Sequence, residues 1–404
     1  LRGTVAGLAP RPAEEPRVVM LTPGPYNETY FEQAWLARYL GYALVEGQDL
    51  TVRDDRVWLK TLSGLEPVDV IVRRVDDDWC DPLELRNDST LGVPGLLEAL
   101  RAGNVAVANA LGSGLVQTPA LMPFLPGLCR ELLGEELEVP SVATWWCGQR
   151  AELEHVLANL DTLQVRPAFR NGPRLPDAAS GGSSGEREGL RRLLSFHSHG
   201  FIAQERVALA TAPAWDGAAI RPQPVALRVY LVASEGSYRV MPGGLTRVSP
   251  DPGGRFVSMQ RGGSSKDTWV LAEGPVDEVS LLQSGAQHVE LRRVGNNLPS
   301  RLADNFYWLG RYAERADATA RVLRSTLVRF SLESTAAALP VLEPLLQTLA
   351  SQGQMASAAE RPEWRTNPEA LEAELLAAIF DTERRGSLRR IARQLEHLVT
   401  LVRD

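Results

Sequence analysis

The sequence predicts an α/β module followed by a separate all-helical module. Two features of the 404-residue chain lead to this fold class. Short apolar runs alternate with helical segments between residues 17 and 114, a pattern typical of a parallel, doubly wound sheet. From residue 297 onward, apolar residues recur at spacings of three and four, as they do on helices. The chain is long for one hydrophobic core, so we expect two or three domains.

The first module opens with a buried-type strand, RVVML (17–21), which stops at the turn TPGPYNE (22–28). Asn27 is a candidate cap for the helix that follows, and Glu28 complements the dipole at its N-terminus. Strands are expected in YALVEG and in LTVRDDRVWLKTL, the second a hairpin that turns at Asp54 and Asp55. VDVIVRRVDDD is another buried-type strand, GVPGLLEALRAG a helix, and NVAVANALGSG a strand that runs into a Gly-rich turn.

The pattern changes near Gly148. A helix over 150–159 precedes a strand, LQVRPAF, and a Gly/Ser-rich loop at 171–185. Strands are then expected in FIAQERVAL, PVALRVYLVA, SYRVMPGG and KDTWVLA, and short connections favour antiparallel pairing among them. Residues 1–16 and 273–296 are interpreted as linkers.

Helices are expected in the C-terminal part at 297–330, 335–350, 369–380 and 386–403, and their apolar stripes can close a bundle. Charged and aromatic residues recur at helical spacing in the first of them: Arg301, Trp308, Arg311, Glu314 and Arg315. We interpret this set as a packing network in which Glu314 pairs with Arg311, because buried arginines need acidic partners.

Composition excludes several classes of function. The net charge of -7 argues against nucleic acid or an anionic membrane as partner, because both reward a basic surface. No apolar run approaches the ~20 residues of a membrane-spanning helix. The 3 cysteines and 5 histidines lack the spacing of a disulfide framework or a metal cluster. We therefore expect a cytoplasmic protein with buried free thiols.

Three polar or Gly-rich turns follow the parallel-strand candidates, at 22–28, 73–78 and 109–114. Ligands of open α/β sheets bind beyond the carboxyl ends of the strands, so we expect these turns to line one substrate crevice. Its candidate residues are Asn27, Glu28, Arg73, Arg74, Asp76, Asp77, Gly112 and Ser113. Arginines beside aspartates can hold a ligand that carries both carboxylate and amine groups. The alternative is a set of solvated loops with internal ion pairs.

The β-rich middle region offers candidates for a nucleotide site. A cation on one strand, Arg166, precedes the Gly/Ser-rich loop, and a later strand carries a polar pair, Gln204 and the acidic Glu205. In MQRGGSSKDTW (259–269), two glycines and Lys266 can place backbone amides and an ammonium group against a phosphate. This segment is not a Walker motif, and a Gly-rich hairpin with a solvated lysine remains the alternative.

Several of these segments resemble a known family. TPGPYNETYFEQAWLARYLGYALVEGQDLTVRD, VDVIVRRVDDDWCDPLELR, PSVATWWCGQ, RVMPGGLTRV and RGGSSKDTWVL are similar to circularly permuted ATP-grasp proteins of type 2. NNLPSRLADNFYWLGRYAERADATARVLR resembles the opening of the alpha-E helical domain, whose Glu-Arg signature is Glu314-Arg315 here. The implied order is a Rossmann-like pre-ATP-grasp domain at 17–147, an incomplete α+β grasp region at 148–272 and a partial alpha-E domain at 297–404.

The resemblance implies ATP-dependent joining of a carboxylate to an amine, with a distant relation to glutathionylspermidine synthase. ATP and Mg²⁺ are the implied cofactors, and the substrate is a small molecule or peptide. We assign catalytic roles to Arg228 and Lys266. Nucleotide-binding roles go to Arg166, Gln204, Glu205, Gly262, Gly263 and Lys266. The family tends to carry Lys where this chain has Arg166, which keeps the charge but changes its geometry.

We expect both ends of the chain to be cut relative to the family. The Mg²⁺ ligands then lie outside it, upstream of residue 1, and the piece need not be active alone. A shortened helical bundle would leave an apolar face bare and promote self-association. The alternative function is a non-catalytic module that binds a peptide or small molecule and carries a degenerate nucleotide site.

Overall fold

The computed structural model describes residues 1–11, 15–169, 172–173, 184–215, 217–234, 236–250, 262–276, 281, 298–332, 339–357 and 367–402. The chain divides into two compact units. One contains Leu1–Gly7 and Asn109–Ser280, and the other contains Leu8–Ala108 and Leu281–Asp404. We call them the middle unit and the outer unit. Among the described residues, every helix is too short or too polar to cross a membrane.

The helices, numbered along the chain, are α1 (Arg2–Ala6), α2 (Tyr30–Leu40), α3 (Leu96–Arg101), α4 (Leu125–Leu133), α5 (Arg150–Ala158), α6 (Ser184–Phe196), α7 (Ser300–Leu332), α8 (Leu339–Ser351), α9 (Pro368–Phe380) and α10 (Leu388–Val402). Short 3-10 turns lie at Gly47–Asp49, Asp77–Trp79, Ser113–Gln117, Pro119–Phe124 and Ser198–Gly200. The strands are β1 (Val18–Leu21), β2 (Ala43–Val45), β3 (Leu50–Arg53), β4 (Arg56–Thr61), β5 (Gly64–Pro67), β6 (Val70–Arg73), β7 (Ala106–Ala108), β8 (Thr144–Trp146), β9 (Leu163–Pro167), β10 (Phe201–Glu205), β11 (Thr211–Trp215), β12 (Ile220–Arg228), β13 (Leu231–Ser234), β14 (Ser237–Val240), β15 (Gly244–Val248) and β16 (Ser264–Thr268).

The outer unit is built on a parallel sheet with the strand order β2-β1-β6-β7. In the central strand β1, Val19 pairs with Ala43 on one side and with Ile71 on the other. The residues of β1 and β6 are almost all apolar, as expected for strands that are covered on both faces. The predicted parallel pairing is confirmed, while the Rossmann-like description of the module stays a prediction.

A three-stranded antiparallel sheet, β3-β4-β5, accompanies the parallel sheet. Asp54 and Asp55 connect β3 to β4 with φ of 51° and 56°. Two successive residues with positive φ suit the two-residue hairpins whose twist matches that of the strands, and aspartate tolerates this conformation. The hairpin predicted at this pair is therefore confirmed.

The loop between β6 and α3 is held by a buried carboxylate. Asp81 is 0% exposed, and its oxygens accept hydrogen bonds from the backbone amides of Leu83 and Gly95 at 2.9 and 3.2 Å. A third bond comes from the amide of Leu97, at 2.9 Å, in the first turn of α3. A carboxylate at this end of the helix also complements its dipole. One side chain thus fixes both the loop and the start of the helix.

The described strands of the middle unit form two β-sheets and a hairpin. The first sheet has the antiparallel order β8-β10-β9, and α5 and α6 supply side chains to its core, including Val156 and Leu194. The second has the order β11-β12-β15-β16, and β13 pairs with β14. The strand expected in KDTWVLA (266–272) begins two residues earlier and ends at Thr268, so the prediction is confirmed for its first three residues only. The Gly/Ser-rich loop predicted at 171–185 lies largely outside the described residues.

The four helices predicted in the C-terminal part are confirmed as α7 to α10. Leu323 of α7 packs with leucines of α8 and α9, among them Leu349 and Leu375, which are 0% exposed. A buried polar pair sits beside this core, where Gln354 Nε2 donates to Thr319 Oγ1 at 2.6 Å. The bundle therefore combines an apolar centre with a buried polar contact, in which the amide nitrogen of Gln354 is bonded and its Oε1 has no hydrogen-bond partner among the described residues.

We expect Gly92→Ala to destabilise the outer unit. A Cβ at Gly92 would lie against the carbonyl groups of Trp79 and Cys80, which belong to the rigid backbone of the loop before α3. Overpacking of this kind lowers the free energy of unfolding by about 1–3 kcal/mol. Gly127→Ala in α4 is the control, since a Cβ added there would meet no atom within 4 Å and alanine favours a helix. Urea unfolding measures both, and a Gly92→Ala protein as stable as the parent would contradict the close backbone contact.

Candidate functional site

The turn that follows β1 is held by its own hydrogen bonds. The hydroxyl of Thr22 donates to Gln33 Oε1 at 2.6 Å and accepts from the amide of Gly24 at 3.1 Å. Gln33 Nε2 donates to Thr29 Oγ1 at 2.8 Å. Thr22 and Gln33 are 2% and 4% exposed, so these bonds form away from water. The loop at the carboxyl end of β1 is therefore shaped before any ligand binds.

Asn27 supports this turn rather than the helix behind it. Its Oδ1 accepts from the amide of Thr29 at 3.0 Å and from the Thr29 hydroxyl at 2.7 Å. Helix α2 begins one residue later, at Tyr30, and Thr29 occupies the capping position without a side-chain cap. The expectation that Asn27 caps the helix was wrong, because its side chain closes the preceding Asx turn. Glu28 is exposed.

The charged turn after β6 lies beside the turn after β1, because the amide of Arg74 donates to the carbonyl of Leu21 at 2.8 Å. Arg73 is directed inward, where its Nη1 donates to the carbonyl of Val75 at 2.7 Å and its guanidinium pairs with Asp77. Arg74 and Asp76 are exposed. An internal ion pair and exposed charges are both features of the solvated-loop alternative, and the substrate crevice stays a prediction.

Gly112 and Ser113, the remaining candidates for the substrate crevice, follow β7 along the chain but belong to the middle unit. Gly112 has a φ of 88° and leads into a 3-10 turn, and the amide of Ser113 donates to the carbonyl of Ala110 at 3.2 Å. Their participation in a common crevice with the two outer-unit turns stays a prediction.

A buried ion pair that the sequence did not predict lies beyond the end of β2. Arg301, in the first turn of α7, donates from Nε to both carboxylate oxygens of Asp49, at 2.9 and 3.1 Å, and from Nη2 at 3.0 Å. Glu46 lies 3.2 Å from Arg301 Nη1. Burial lowers the pKa of Arg301, but the hydrogen bonds it donates to Asp49 and the charges of Asp49 and Glu46 raise the pKa above its ordinary value. The guanidinium is therefore held charged between two carboxylates.

The antiparallel sheet β8-β10-β9 brings together two of the predicted nucleotide-binding residues. Arg166 is exposed on β9, and its Nη1 donates to Gln204 Oε1 on β10 at 3.0 Å. The amide nitrogen of Gln204 donates to Thr144 Oγ1 at 3.1 Å, which orients the side chain. Glu205 points to the other face, because neighbouring residues of a strand alternate, and accepts from the amide of Ala143 at 3.1 Å.

The second sheet separates the two residues to which we assigned catalysis. In its register, Lys266 pairs with Thr246 of β15, and Thr246 pairs with Leu227 of β12. Arg228 is the next residue after Leu227, so it lies on the opposite face. Its guanidinium sits 5.6 Å from the centre of the Tyr230 ring. Arg228 and Lys266 therefore lie on opposite faces of this sheet, and their assigned catalytic roles stay predictions.

The Gly-rich segment before Lys266 has a backbone suited to close approach. Gly262 has a φ of 82°, a conformation that favours glycine, and Gly263 connects it to β16. Lys266 is exposed on this hairpin. An accessible ammonium group beside backbone that can come close to a ligand fits a phosphate.

The described part of the middle unit thus exposes Arg166 and Lys266, but acidic side chains are not clustered as metal ligands among the described residues. In the part of the chain that the structure describes, no three His, Cys, Asp or Glu side chains come together as a metal site. Of the three cysteines, Cys80 and Cys147 are buried, and burial raises the pKa of each thiol to about 11. These two thiols stay neutral near pH 7 and do not provide a nucleophile.

The charged network predicted within α7 is not observed. Arg311, Glu314 and Arg315 are all exposed, and the described residues show no ion pair among them. Their spacing allowed an i,i+3 pair, but an exposed pair of this kind contributes little free energy. Arg301, assigned to the same network, instead reaches Asp49. The packing interpretation of this set was therefore wrong.

Comparison with known proteins agrees with the resemblance noted in the sequence. Residues 1–249 match the family described as circularly permuted ATP-grasp type 2, and residues 298–404 match Alpha-E, described as a predicted alpha-helical domain with a conserved ER motif. Uncharacterized protein Rv2567 of Mycobacterium tuberculosis is 36% identical over 341 residues, which cover 82% of this chain and 37% of that protein.

Two further relatives show the same pattern of partial coverage. Uncharacterized protein Rv2411c of Mycobacterium tuberculosis is 37% identical over 72% of this chain and 51% of its own length. Uncharacterized protein sll0335 of Synechocystis is 39% identical over 66% of this chain and 56% of its own length. The chain thus spans about a third to about half of the curated relatives it matches.

We expect Thr22→Val to loosen the turn after β1. Valine keeps the shape of threonine but removes the hydroxyl, so the buried Gln33 oxygen and the Gly24 amide each lose a partner. Leaving buried polar groups unsatisfied lowers the free energy of unfolding by about 1–3 kcal/mol. Thr22→Ser keeps the hydroxyl and is the matched control. Chemical denaturation with hydrogen exchange of residues 22–28 measures the effect, and equal stability of the valine and serine variants would contradict this role of the hydroxyl.

Proposed function

The chain belongs to the circularly permuted ATP-grasp type 2 family and carries an alpha-E domain, and on this basis we propose that it acts as an ATP-dependent ligase that joins a carboxylate to an amine. The observation that carries the proposal is the family match over residues 1–249. Accessible cations on two antiparallel sheets of the middle unit, Arg166 and Lys266, support it. The distant relation to glutathionylspermidine synthase stays a prediction.

The proposed reaction has two steps. A carboxylate oxygen of the substrate attacks the γ-phosphorus of ATP, the bond to the bridging oxygen breaks, and ADP leaves. The amine nitrogen then attacks the acyl carbon, a proton is lost, and the tetrahedral intermediate expels inorganic phosphate. Both steps develop negative charge on oxygen, so the site must supply cations and oriented dipoles. Mg²⁺ would neutralise phosphate charge in the same way.

We assign the phosphate contacts to Arg166, with Gln204 as the residue that orients it. The hydrogen bond from Arg166 to Gln204 uses one of the five N–H donors of the guanidinium, so others stay available to a phosphate oxygen. Lys266 supplies a second cation, and Gly262 and Gly263 supply accessible backbone amides. Arg228 lies on the other face of that sheet and is assigned no contact to the same phosphate.

We assign substrate recognition to the turns at the edge of the parallel sheet, beyond the carboxyl ends of β1 and β6. The adjacency of these turns supports this choice, as does the general position of ligands in open α/β sheets. Exposed Arg74 is suited to a substrate carboxylate and exposed Glu28 to an amine. The substrate is accordingly a small molecule or peptide that carries these groups.

A second function, a non-catalytic binding module, is favoured by one observation. The described residues contain no cluster of acidic side chains that could hold Mg²⁺. ATP-dependent phosphoryl transfer requires neutralisation of the phosphates, so described residues that lack such a cluster favour nucleotide binding without turnover. Self-association belongs with this alternative, and apolar side chains exposed on α7 and α9, such as Phe306 and Phe380, support it.

We expect Arg166→Ala to weaken ATP binding by about tenfold to a hundredfold, the effect of losing a charge-assisted hydrogen bond. Arg166→Lys should retain most of the affinity, because it keeps the positive charge. Arg150→Ala on α5 is the control, since its side chain is 93% exposed and lies in the same unit. Calorimetry with ATP and Mg²⁺ measures all three variants.

The same proteins distinguish a ligase from a binding module. A ligase forms ADP when a carboxylate and an amine are both supplied, and a mixture of amino acids and dipeptides provides both. Binding of ATP by this chain without ADP formation would favour the binding module. An Arg166→Ala protein that binds ATP as tightly as the Arg150→Ala control would contradict the assigned nucleotide site.

A further inference from the structure

A groove of about 560 Å³ lies between α7 and α10 in the outer unit. Its volume falls within the range of small-molecule sites. Neither of the functions considered above uses this groove, which belongs to the helical domain rather than to the β-sheets. Its residues come from two helices and the turn between α9 and α10, so the shape of the groove is fixed by packed elements.

One wall of the groove is aromatic. Trp308 and Tyr312 lie one turn apart on α7, with ring centres 5.9 Å apart and ring planes inclined by 34°. The indole is 39% exposed, although a tryptophan of a helical bundle usually contributes to the core. This wall offers a flat apolar surface to a ligand.

The opposite wall carries positive charge. Arg390 and Arg393 lie at i and i+3 on α10 and both line the groove. Arg390 is engaged, since its Nη1 donates to the carbonyls of Thr382 and Glu383 at 3.3 Å each. Arg393 has no hydrogen bond or ion pair to any other described residue. Glu383 is the acidic residue at the rim, so the two arginines leave the groove with a positive excess.

His397, one turn beyond Arg393, is held in place by a loop outside the bundle. Its Nδ1 lies 2.7 Å from the hydroxyl of Tyr26, and the two rings stack with centres 6.2 Å apart. Because this contact occupies Nδ1, Nε2 is the nitrogen available to a ligand. Tyr26 belongs to the turn after β1, so the orientation of the imidazole depends on that turn.

We propose that this groove binds a small organic carboxylate with an aromatic body. The carboxylate meets the Arg393 guanidinium and the imidazole of His397, and the aromatic body lies on Trp308 and Tyr312. A planar carboxylate suits an arginine because two parallel hydrogen bonds can form. The apolar wall adds affinity through burial of the aromatic ring. A neutral molecule of the same shape keeps the apolar contact of the ring but loses the contact between the carboxylate and Arg393.

Calorimetry on the 404-residue chain tests the proposal with 3-phenylpropanoate and its neutral isostere, 3-phenylpropanamide. We expect the acid to bind, and the amide to bind at least about tenfold more weakly, because one charge-assisted hydrogen bond is lost. Arg393→Ala should reduce the affinity for the acid to that for the amide. Arg389→Ala is the matched control, since Arg389 is an exposed arginine of the same helix and does not line the groove.

Three results would overturn the proposal. The first is equal affinity for the acid and the amide, which would make the groove an unselective apolar surface. The second is an acid affinity that falls equally in the Arg393→Ala and Arg389→Ala proteins. The third is no binding of either compound by the parent chain at millimolar concentration. Circular dichroism of each variant shows whether the helices persist, so that loss of binding is separated from loss of fold.

Discussion

Arg301 and Asp49 form the contact on which the arrangement of the outer unit depends. The Asp49 side chain is 1% exposed, and it receives hydrogen bonds from Arg301 and from the amide of Glu46. Removing Arg301 would leave the Asp49 carboxylate buried without its cation, which is strongly unfavourable, whereas removing Asp49 would leave Arg301 paired with Glu46 alone. Backbone contacts reinforce the junction, because the amide of Leu62 donates to the carbonyl of Leu298 just before α7 begins. The first turn of α7 is thereby attached to the α/β part.

This attachment places the start of α7 near the carboxyl ends of β1 and β2 in the parallel sheet. Asp49 follows β2, and the turn after β1 lies beside it, since a Cβ at Gly24 would stand 3.4 Å from the Glu46 carboxylate. In open α/β sheets this is the edge where ligands bind. The turn after β1 also reaches α10 through Tyr26 and His397. Ligands at the sheet edge and in the helical groove would therefore contact elements that share this turn.

Local patterns in the sequence predicted much of the fold. Contacts between residues far apart in the chain could not be predicted in this way. The Asp54-Asp55 hairpin and the parallel strands follow from neighbouring residues, because turn chemistry and apolar runs are local. Arg301 and Asp49 are 252 positions apart, so no spacing rule could connect them. The separation of Arg228 from Lys266 likewise required the strand register. Arg166 and Gln204 were selected from the sequence as polar residues on neighbouring strands, and in the structure their side chains form a hydrogen bond.

A double-mutant cycle on the Asp49–Arg301 pair tests most directly whether this contact holds the outer unit together. Asp49→Asn keeps an acceptor for the Glu46 amide, and Arg301→Met keeps an unbranched apolar side chain. We expect Arg301→Met to lose about 3 kcal/mol or more of unfolding free energy, because it leaves the buried Asp49 carboxylate without its cation. Asp49→Asn should lose less, because Arg301 keeps Glu46 as a partner. The double variant should lose less than the sum, with a coupling energy of about 1.5–3 kcal/mol. Losses that add to within about 0.5 kcal/mol would show that the two side chains are independent and that α7 is held by other contacts.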